Sequence, residues 1–121
     1  MLPTQRSAAL SYYDVRGKRG FVLKKNREGE MNELLLDAVA CVQTRKEANA
    51  FLEDLCTVGE LFALQQRLAV AKMLKQNATY QEISEETGAS TATISRVNRA
   101  LSYGEGGYHT ILDRLEGNRN E

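Results

Sequence analysis

Apolar side chains recur at helical spacing along most of the chain from Met31 onward. Positions three, four and seven residues apart lie on one face of a helix. This period predicts helices over residues 31–42, 45–56 and about 60–76, and it continues beyond them. The pattern therefore predicts an all-α fold.

Three helix starts carry the spacing of a capping box, in which a threonine is followed three residues later by glutamate. The threonines are Thr44, Thr57 and Thr79. In such a box each of the two side chains accepts a hydrogen bond from a backbone N–H group that the helix leaves unpaired. These positions predict where the second, third and fourth helices begin.

The third predicted helix is apolar around much of its circumference. A helix of this kind must be buried on more than one face, and a chain of 121 residues forms only a modest core. The simplest partner is a second copy of the chain, so the pattern predicts a homodimer. The apolar positions are Leu61, Phe62, Leu64, Leu68, Val70, Met73 and Leu74.

Residues 79–101 read TYQEISEETGASTATISRVNRAL, which predicts two short helices joined by a tight turn. Gly88 stands where the turn needs a positive φ, and Ser90 is a favourable N-cap for the second helix. Ile94, Val97 and Leu101 form the buried stripe of that helix. We interpret the segment as a helix-turn-helix.

The opposite face of the second helix is rich in Ser, Thr, Asn and Arg, and no carboxylate occurs between Gly88 and Gly104. The alternative to a DNA-contacting face is the solvated surface of an ordinary helical hairpin. A purely structural surface helix would tend to avoid Ser, Thr and Asn, because they are mediocre helix formers, so the composition favours contact with DNA. We expect Thr91 and Ala92 to read bases and Arg99 to contact phosphate. The candidate DNA-contacting residues lie on this face or at the start of the first helix: Thr79, Gln81, Ser90, Thr91, Ala92, Thr93, Ser95, Arg96 and Arg99.

The segment TGASTATISRVNRAL resembles the DNA-reading helices of the tryptophan repressor. The longer run TYQEISEETGASTATISRVNRALSYGEGGY is similar to that of the Trp-repressor-like YerC/YecD family of bacterial DNA-binding proteins, and the resemblance covers about residues 31–115. It implies an all-α, Trp-repressor-like intertwined homodimer that acts as a transcriptional regulator in the cytoplasm, with repression the favoured mode.

The resemblance also implies an effector site between the helix that precedes the motif and the second helix of the motif. The matching arginines are Arg67, in LQQRLAV, and Arg96, in TISRVN. Two guanidinium groups suit a carboxylate ligand. However, Val97 occupies the position where the tryptophan repressor has a glycine beneath the indole ring, so we predict that tryptophan is not the ligand.

The net charge of zero conceals an asymmetry. Residues 1–30 carry seven basic and three acidic side chains, whereas residues 31–121 carry nine and thirteen. The predicted helical domain, residues 31–121, is therefore acidic. Because attraction to phosphates supplies most of the non-specific affinity for DNA, we expect the non-specific affinity of this domain to be weak. Glu82, Glu85 and Glu86, on the first helix of the motif, would have to face away from phosphates.

Residues 1–30 differ from the helical domain predicted for residues 31–121. One interpretation is a flexible basic arm that follows DNA phosphates. The favoured interpretation is a non-native start, because Arg27-Glu28-Gly29 can be encoded by a ribosome-binding sequence just upstream of Met31.

The sequence shows no pattern typical of a membrane span, a cofactor or a metal site. Cys41 and Cys56 are expected to be small buried hydrophobes, His109 has no partner motif, and no catalytic constellation is evident, so an enzyme is not expected. Two alternatives to an effector-modulated regulator stay open: an effector-independent or architectural DNA-binding protein, and a helical dimer that docks a protein partner.

Overall fold

The computed structural model describes residues 33–119, and this part of the chain contains helices and no strand. The prediction of an all-α fold is confirmed. Residues 1–30, with the predicted basic arm, lie outside the described residues. The helices are α1 (Glu33–Cys41), α2 (Arg45–Leu55), α3 (Val58–Lys75), α4 (Tyr80–Thr87), α5 (Thr91–Tyr103) and α6 (Gly107–Arg119).

The predicted helix starts are found at all three threonines, with one difference in detail. At α3 and at α4 the threonine and the glutamate form both hydrogen bonds of a capping box. At α2 the Thr44 hydroxyl accepts from the Glu47 N–H at 3.1 Å, but the Glu47 carboxylate accepts from the Gln43 N–H at 2.8 Å instead of from Thr44. The prediction of a complete capping box was wrong there, because the glutamate side chain reaches one residue further back.

The described part of the chain divides between Ala50 and Phe51 into two compact units, residues 33–50 and residues 51–119. In the first unit α1 buries no side chain, and its leucines are at least one third exposed. Cys41, at the end of α1, is exposed, so the expectation that it is buried was wrong. Cys56, in the second unit, is half-buried.

The core of the second unit lies where α3 packs against α4 and α5. The fully buried side chains of α5 are Ile94 and Val97, and they face Val70 and Ala71 of α3 within one cluster. Leu101 is only half-buried, so two of the three predicted stripe positions are fully buried. The other buried members are Ile83, Ala89 and Leu112, with Met73, Leu74, Ala78, Leu101 and Tyr108 packed around them.

Helix α3 buries only one of its apolar faces within a single copy of the chain. Val70 and Ala71 are fully buried, whereas Phe62, Leu64 and Leu68 are 60%, 41% and 42% exposed. This leaves a large apolar surface on α3 without a covering element in the second unit.

None of the helices described over residues 33–119 has the length and the apolar composition that a membrane span requires.

Candidate nucleic-acid interface

The turn between α4 and α5 is held by short local hydrogen bonds and by one buried methyl group. Gly88 has φ 71° and ψ 7°, in the left-handed region, and its N–H donates to the Ser84 carbonyl at 2.9 Å. The Thr87 hydroxyl donates to the Ile83 carbonyl at 2.7 Å and accepts from the Ala89 N–H at 3.1 Å. Ala89 is 1% exposed and joins the core. The direction in which α5 leaves the turn is therefore fixed by α4 and by the core.

The start of α5 places two of the candidate DNA-contacting residues in contact with each other. Ser90 is the N-cap, and its hydroxyl accepts from the Thr93 N–H at 3.2 Å. It also donates to the Thr93 hydroxyl at 3.1 Å. The sequence-predicted cap is present, so the role of Ser90 in the structure is to begin the helix.

The outer face of α5 is polar, exposed and without acidic side chains. Residues four positions apart on a helix share a face. Two such pairs, Thr91 with Ser95 and Ala92 with Arg96, are exposed, and Arg99 extends the face by one turn. The buried Ile94 and Val97 hold the opposite face in the core. The fold thus presents two guanidinium groups, two hydroxyl groups and two methyl groups together to solvent.

The start of α4 is more occupied than the sequence suggests. The Glu82 carboxylate accepts from the Thr79 N–H at 2.9 Å, and the Thr79 hydroxyl accepts from the Glu82 N–H at 3.2 Å. The side chain of Gln81 donates to the Glu85 carboxylate at 3.2 Å. Both residues expected to contact phosphate here are engaged with carboxylates, so a phosphate would compete with a negative charge at this helix end.

One residue that the sequence did not single out connects the motif to α3. The Gln66 side-chain amide donates to the Thr87 carbonyl at 3.0 Å, across 21 positions of sequence. Thr87 is the last residue of α4, so this bond joins α3 to the start of the turn. A glutamine between apolar helix positions carries no local signal for such a contact.

A second contact missed by sequence reasoning lies at the other end of α5. His109 Nε2 is 2.9 Å from the Leu101 carbonyl oxygen, and its Nδ1 is 2.9 Å from Lys75 Nζ. Lys75 also donates to the Asp113 carboxylate at 2.8 Å. The hydrogen bond from Lys75 lowers the pKa of Asp113 below its ordinary value. We call Lys75, Leu101, His109 and Asp113 the His109 cluster.

The candidate effector residues lie on the expected helices. Arg67 is half-buried on α3, Arg96 is exposed on α5, and Val97 is 2% exposed within the core. A cavity of about 310 Å³ lies elsewhere, between the C-terminal end of α3 and α6. Neither arginine lines that cavity, whose walls are Lys72, Lys75, Gln76, Leu112, Leu115 and Glu116.

Comparison with known proteins gives consistent matches over most of the chain. The sequence model of the family described as Trp repressor protein matches residues 30–116. The chain is 43% identical over 99 residues to the uncharacterised protein YerC of Bacillus subtilis (strain 168), covering 82% of this chain and 94% of YerC.

Two solved structures resemble the fold of this chain. A protein of Staphylococcus aureus, described as a candidate Trp repressor, is 52% identical with a TM-score of 0.66, covering 69% of this chain and 84% of that one. A TrpR-like protein of Eubacterium eligens ATCC 27750 is 51% identical with a TM-score of 0.66, covering 69% and 87%. The expected Trp-repressor-like fold is confirmed.

Proposed function

The chain belongs to the Trp repressor protein family, and from this premise we propose that it is a transcriptional regulator that reads a pseudo-palindromic operator through α4 and α5. The observation that carries the proposal is the outer face of α5. It is exposed and free of carboxylates, while the opposite face of the same helix is locked in the core. A helix held this way can enter the major groove without losing its packing.

The proposal divides the residues of this face between bases and backbone. Thr91 and Ala92, in the first turn of α5, contact base edges, where a hydroxyl can bond either kind of base and a methyl can contact the thymine methyl. Arg96 and Arg99 lie one and two turns further on, and Arg99 contacts phosphate. Ser90, Thr93 and Ser95 complete the proposed contact surface, and Thr79 and Gln81 contact phosphate at the start of α4.

The proposed DNA-binding unit is an intertwined homodimer. Four apolar side chains are each at least 41% exposed in one copy of the chain: Phe62, Leu64 and Leu68 of α3 and Leu115 of α6. Exposed apolar surface of this extent marks an interface in a protein that stays in solution. A dimer places two α5 helices against half-sites about 34–36 Å apart, one turn of B-DNA. The activity we propose is binding without catalysis, in the bacterial cytoplasm.

The proposal is tested by selecting bound sequences from a random duplex pool and measuring the affinity for the selected site as salt is varied. Enrichment of a palindrome is expected, with affinity that falls steeply as salt rises. Arg99→Ala should weaken binding to all sequences alike and reduce the salt dependence by about one counterion per contact. Thr91→Val keeps the size of the side chain but removes the hydroxyl, so it should alter the preferred base at one position of each half-site.

Arg114→Ala provides the matched control, because Arg114 is an exposed arginine on α6 and is not one of the proposed contact residues. It removes the same charge and should leave the selected sequence unchanged. A folded dimer that enriches no sequence, or whose binding is insensitive to salt, would instead support docking of a protein partner.

Regulation by a small acid stays part of the proposal, with Arg67 and Arg96 as the residues that bind it. One observation favours regulation without tryptophan. Val97 is 2% exposed and completes the core between α3 and α5, so its side chain fills space that a flat aromatic ligand would need. Titration calorimetry with tryptophan should show no saturable heat, whereas saturable binding would contradict this part of the proposal. Affinity for the selected site that needs no added ligand would support the effector-independent alternative.

A further inference from the structure

The C-terminal end of α4 has a carbonyl group that the helix itself cannot satisfy. The last four C=O groups of an α-helix have no intrahelical partner, and Thr87 is the last residue of α4. Its carbonyl oxygen accepts a hydrogen bond at 3.0 Å from the side-chain amide of Gln66, which lies on α3. The bond that completes the end of α4 therefore comes from outside the helix-turn-helix.

We propose that Gln66 is a positioning residue that fixes the motif, residues 79–103, in one orientation on α3, and that this is the orientation in which α5 reads DNA. The proposal rests on the function proposed above, because the orientation of the motif matters for binding only if α5 contacts DNA. Gln66 is not one of the proposed contact residues, so it acts through its bond to Thr87.

Thr87 joins three parts of the fold through directed bonds. Its hydroxyl donates to the Ile83 carbonyl of α4 at 2.7 Å and accepts from the Ala89 N–H at 3.1 Å. Its carbonyl accepts from Gln66 of α3. Ser90, the N-cap of α5, follows Ala89 directly. The bond from Gln66 therefore fixes the point from which α5 starts, because it holds the residue to which the turn is tied.

The apolar core attaches the motif to α3 at a different place. Val70 and Ala71 are the fully buried residues of α3 in that core. Gln66 precedes Val70 by four positions, so the two side chains share a face of α3 and are separated by ~6 Å along the helix. Packing at Val70 sets how α3 and α5 cross, and a second attachment one turn away opposes a pivot of the motif about the first. A hydrogen bond is suited to this role because it weakens steeply as its angle departs from linear.

Within residues 33–119 no second hydrogen bond from a side chain of α3 duplicates this attachment to the motif. Lys75, the other residue of α3 that bonds to a distant element, contacts His109 and Asp113 of α6. Gln66 and Thr87 are both half-buried, so removing the amide donor leaves a carbonyl that water satisfies only in part. The free protein should then populate other orientations of the motif. The apparent Kd for DNA rises as the binding-competent fraction of the protein falls.

Two substitutions remove the donor from this position. Gln66→Met keeps the length of the side chain and has no N–H group, and Gln66→Glu keeps its shape but places an acceptor against the Thr87 carbonyl. Gln65 provides the matched controls, because it is the adjacent glutamine of α3, is exposed and forms no side-chain hydrogen bond with any described residue. Gln65→Met and Gln65→Glu make the same changes of polarity and charge one position away. Either Gln66 variant is sufficient if the other does not fold.

The first measurement needs no DNA and reports orientation. Residual dipolar couplings of the backbone amides, in the isotope-labelled full chain, depend on how each helix is oriented in the aligned molecule. In the native protein and in Gln65→Met, one alignment should account for residues 58–75 of α3 and for the motif. In Gln66→Met the couplings of the motif should be reduced or shifted relative to those of α3. Unchanged couplings in both Gln66 variants would overturn the inference, because a residue that only adds stability leaves the orientation in the folded protein as it was.

The second measurement is the affinity of the full chain for the selected duplex, at a temperature where circular dichroism shows every variant to be folded. Gln66→Met and Gln66→Glu should each bind roughly 2- to 10-fold more weakly than the corresponding Gln65 variant, the range that corresponds to one hydrogen bond. The dependence of affinity on salt should stay native in Gln66→Met, because no phosphate contact is lost. Equal affinities within the matched pairs, or a smaller salt dependence in Gln66→Met, would refute the coupling to DNA binding.

The two measurements distinguish failure of this inference from failure of the proposed function. If the native chain binds no duplex, the proposed function fails, and the dipolar couplings still decide whether Gln66 fixes the motif on α3. If the native chain binds and the Gln66 variants match their controls in both measurements, the proposed function stands and the inference fails.

Discussion

Gly88→Ala should destabilise the protein through the backbone alone. A Cβ atom at Gly88 would meet no atom within 4 Å, so the substitution causes no clash. The φ of 71° is the difficulty, since the left-handed region costs an L-residue about 1–2 kcal/mol. Replacing glycine also restricts the unfolded chain, which offsets part of the cost by about 0.4–1 kcal/mol. The net loss in the free energy of unfolding should be about 1 kcal/mol.

Gly59→Ala is the matched control. Gly59 is exposed in the first turn of α3, and a Cβ atom there would also meet nothing within 4 Å. Its backbone is helical, so the same restriction of the unfolded chain should stabilise the protein by about 0.4–1 kcal/mol. The unfolded-state contributions cancel between the two variants. Their difference, about 1–2 kcal/mol, therefore measures the left-handed conformation at Gly88.

Urea unfolding followed by far-UV circular dichroism provides the measurement. All proteins must be compared at one concentration, because dimer formation makes the apparent stability depend on concentration. The slopes of the transitions should be equal, so that a shift in midpoint reports stability. If Gly88→Ala is as stable as Gly59→Ala, the turn does not need a positive φ and the account of how α5 is positioned is refuted.

Three further predictions concern the core, the helix start and acid. Ile94→Ala should reduce the free energy of unfolding by about 2–5 kcal/mol, since Ile94 is fully buried. The control is the adjacent substitution Ser95→Ala, which should change the free energy of unfolding by less than about 0.5 kcal/mol in the same urea experiment. Thr79→Ala should cost about 1 kcal/mol by removing a capping-box side chain, and an unchanged midpoint would contradict that role. Hydrogen bonds from Thr57 lower the pKa of Glu60, and the bond from Lys75 lowers that of Asp113. The stability that these carboxylates contribute is complete above their pKa values in the unfolded chain and is lost as the pH falls through their pKa values in the folded protein. The urea midpoints should therefore decline below about pH 4.5. Midpoints that do not change with pH would show that the contacts do not form.

Much of the fold could be predicted from local patterns. The helix predicted at residues 60–76 is observed as Val58–Lys75, and the capping box at Thr79 begins α4 as expected. Gly88 in the left-handed region and Ser90 as N-cap are also confirmed. These features depend on residues within four or five positions of one another, where backbone sterics and short side-chain hydrogen bonds decide the outcome.

The candidate site was only partly accessible to the same reasoning. The polar face of α5 follows from helical period, but its DNA contacts remain predictions. That Glu82 and Glu85 face away from phosphates stays a prediction, and the structure shows that their carboxylates accept hydrogen bonds from Thr79 and Gln81. Sequence reasoning assigned His109 no partner, yet it contacts α3 and α5.

The sequence by itself determined the helices and the turn at Gly88, because helical period, capping and glycine conformation act over a few residues. It also determined the family to which the chain belongs. Only the tertiary structure decided which side chains meet across distant positions. The bond from Gln66 to Thr87 spans 21 positions, and that from Lys75 to Asp113 spans 38. Such contacts depend on the angles at which the helices cross. The crossing of α3 and α5 is set by the close packing of Val70, Ile94 and Val97 in the core.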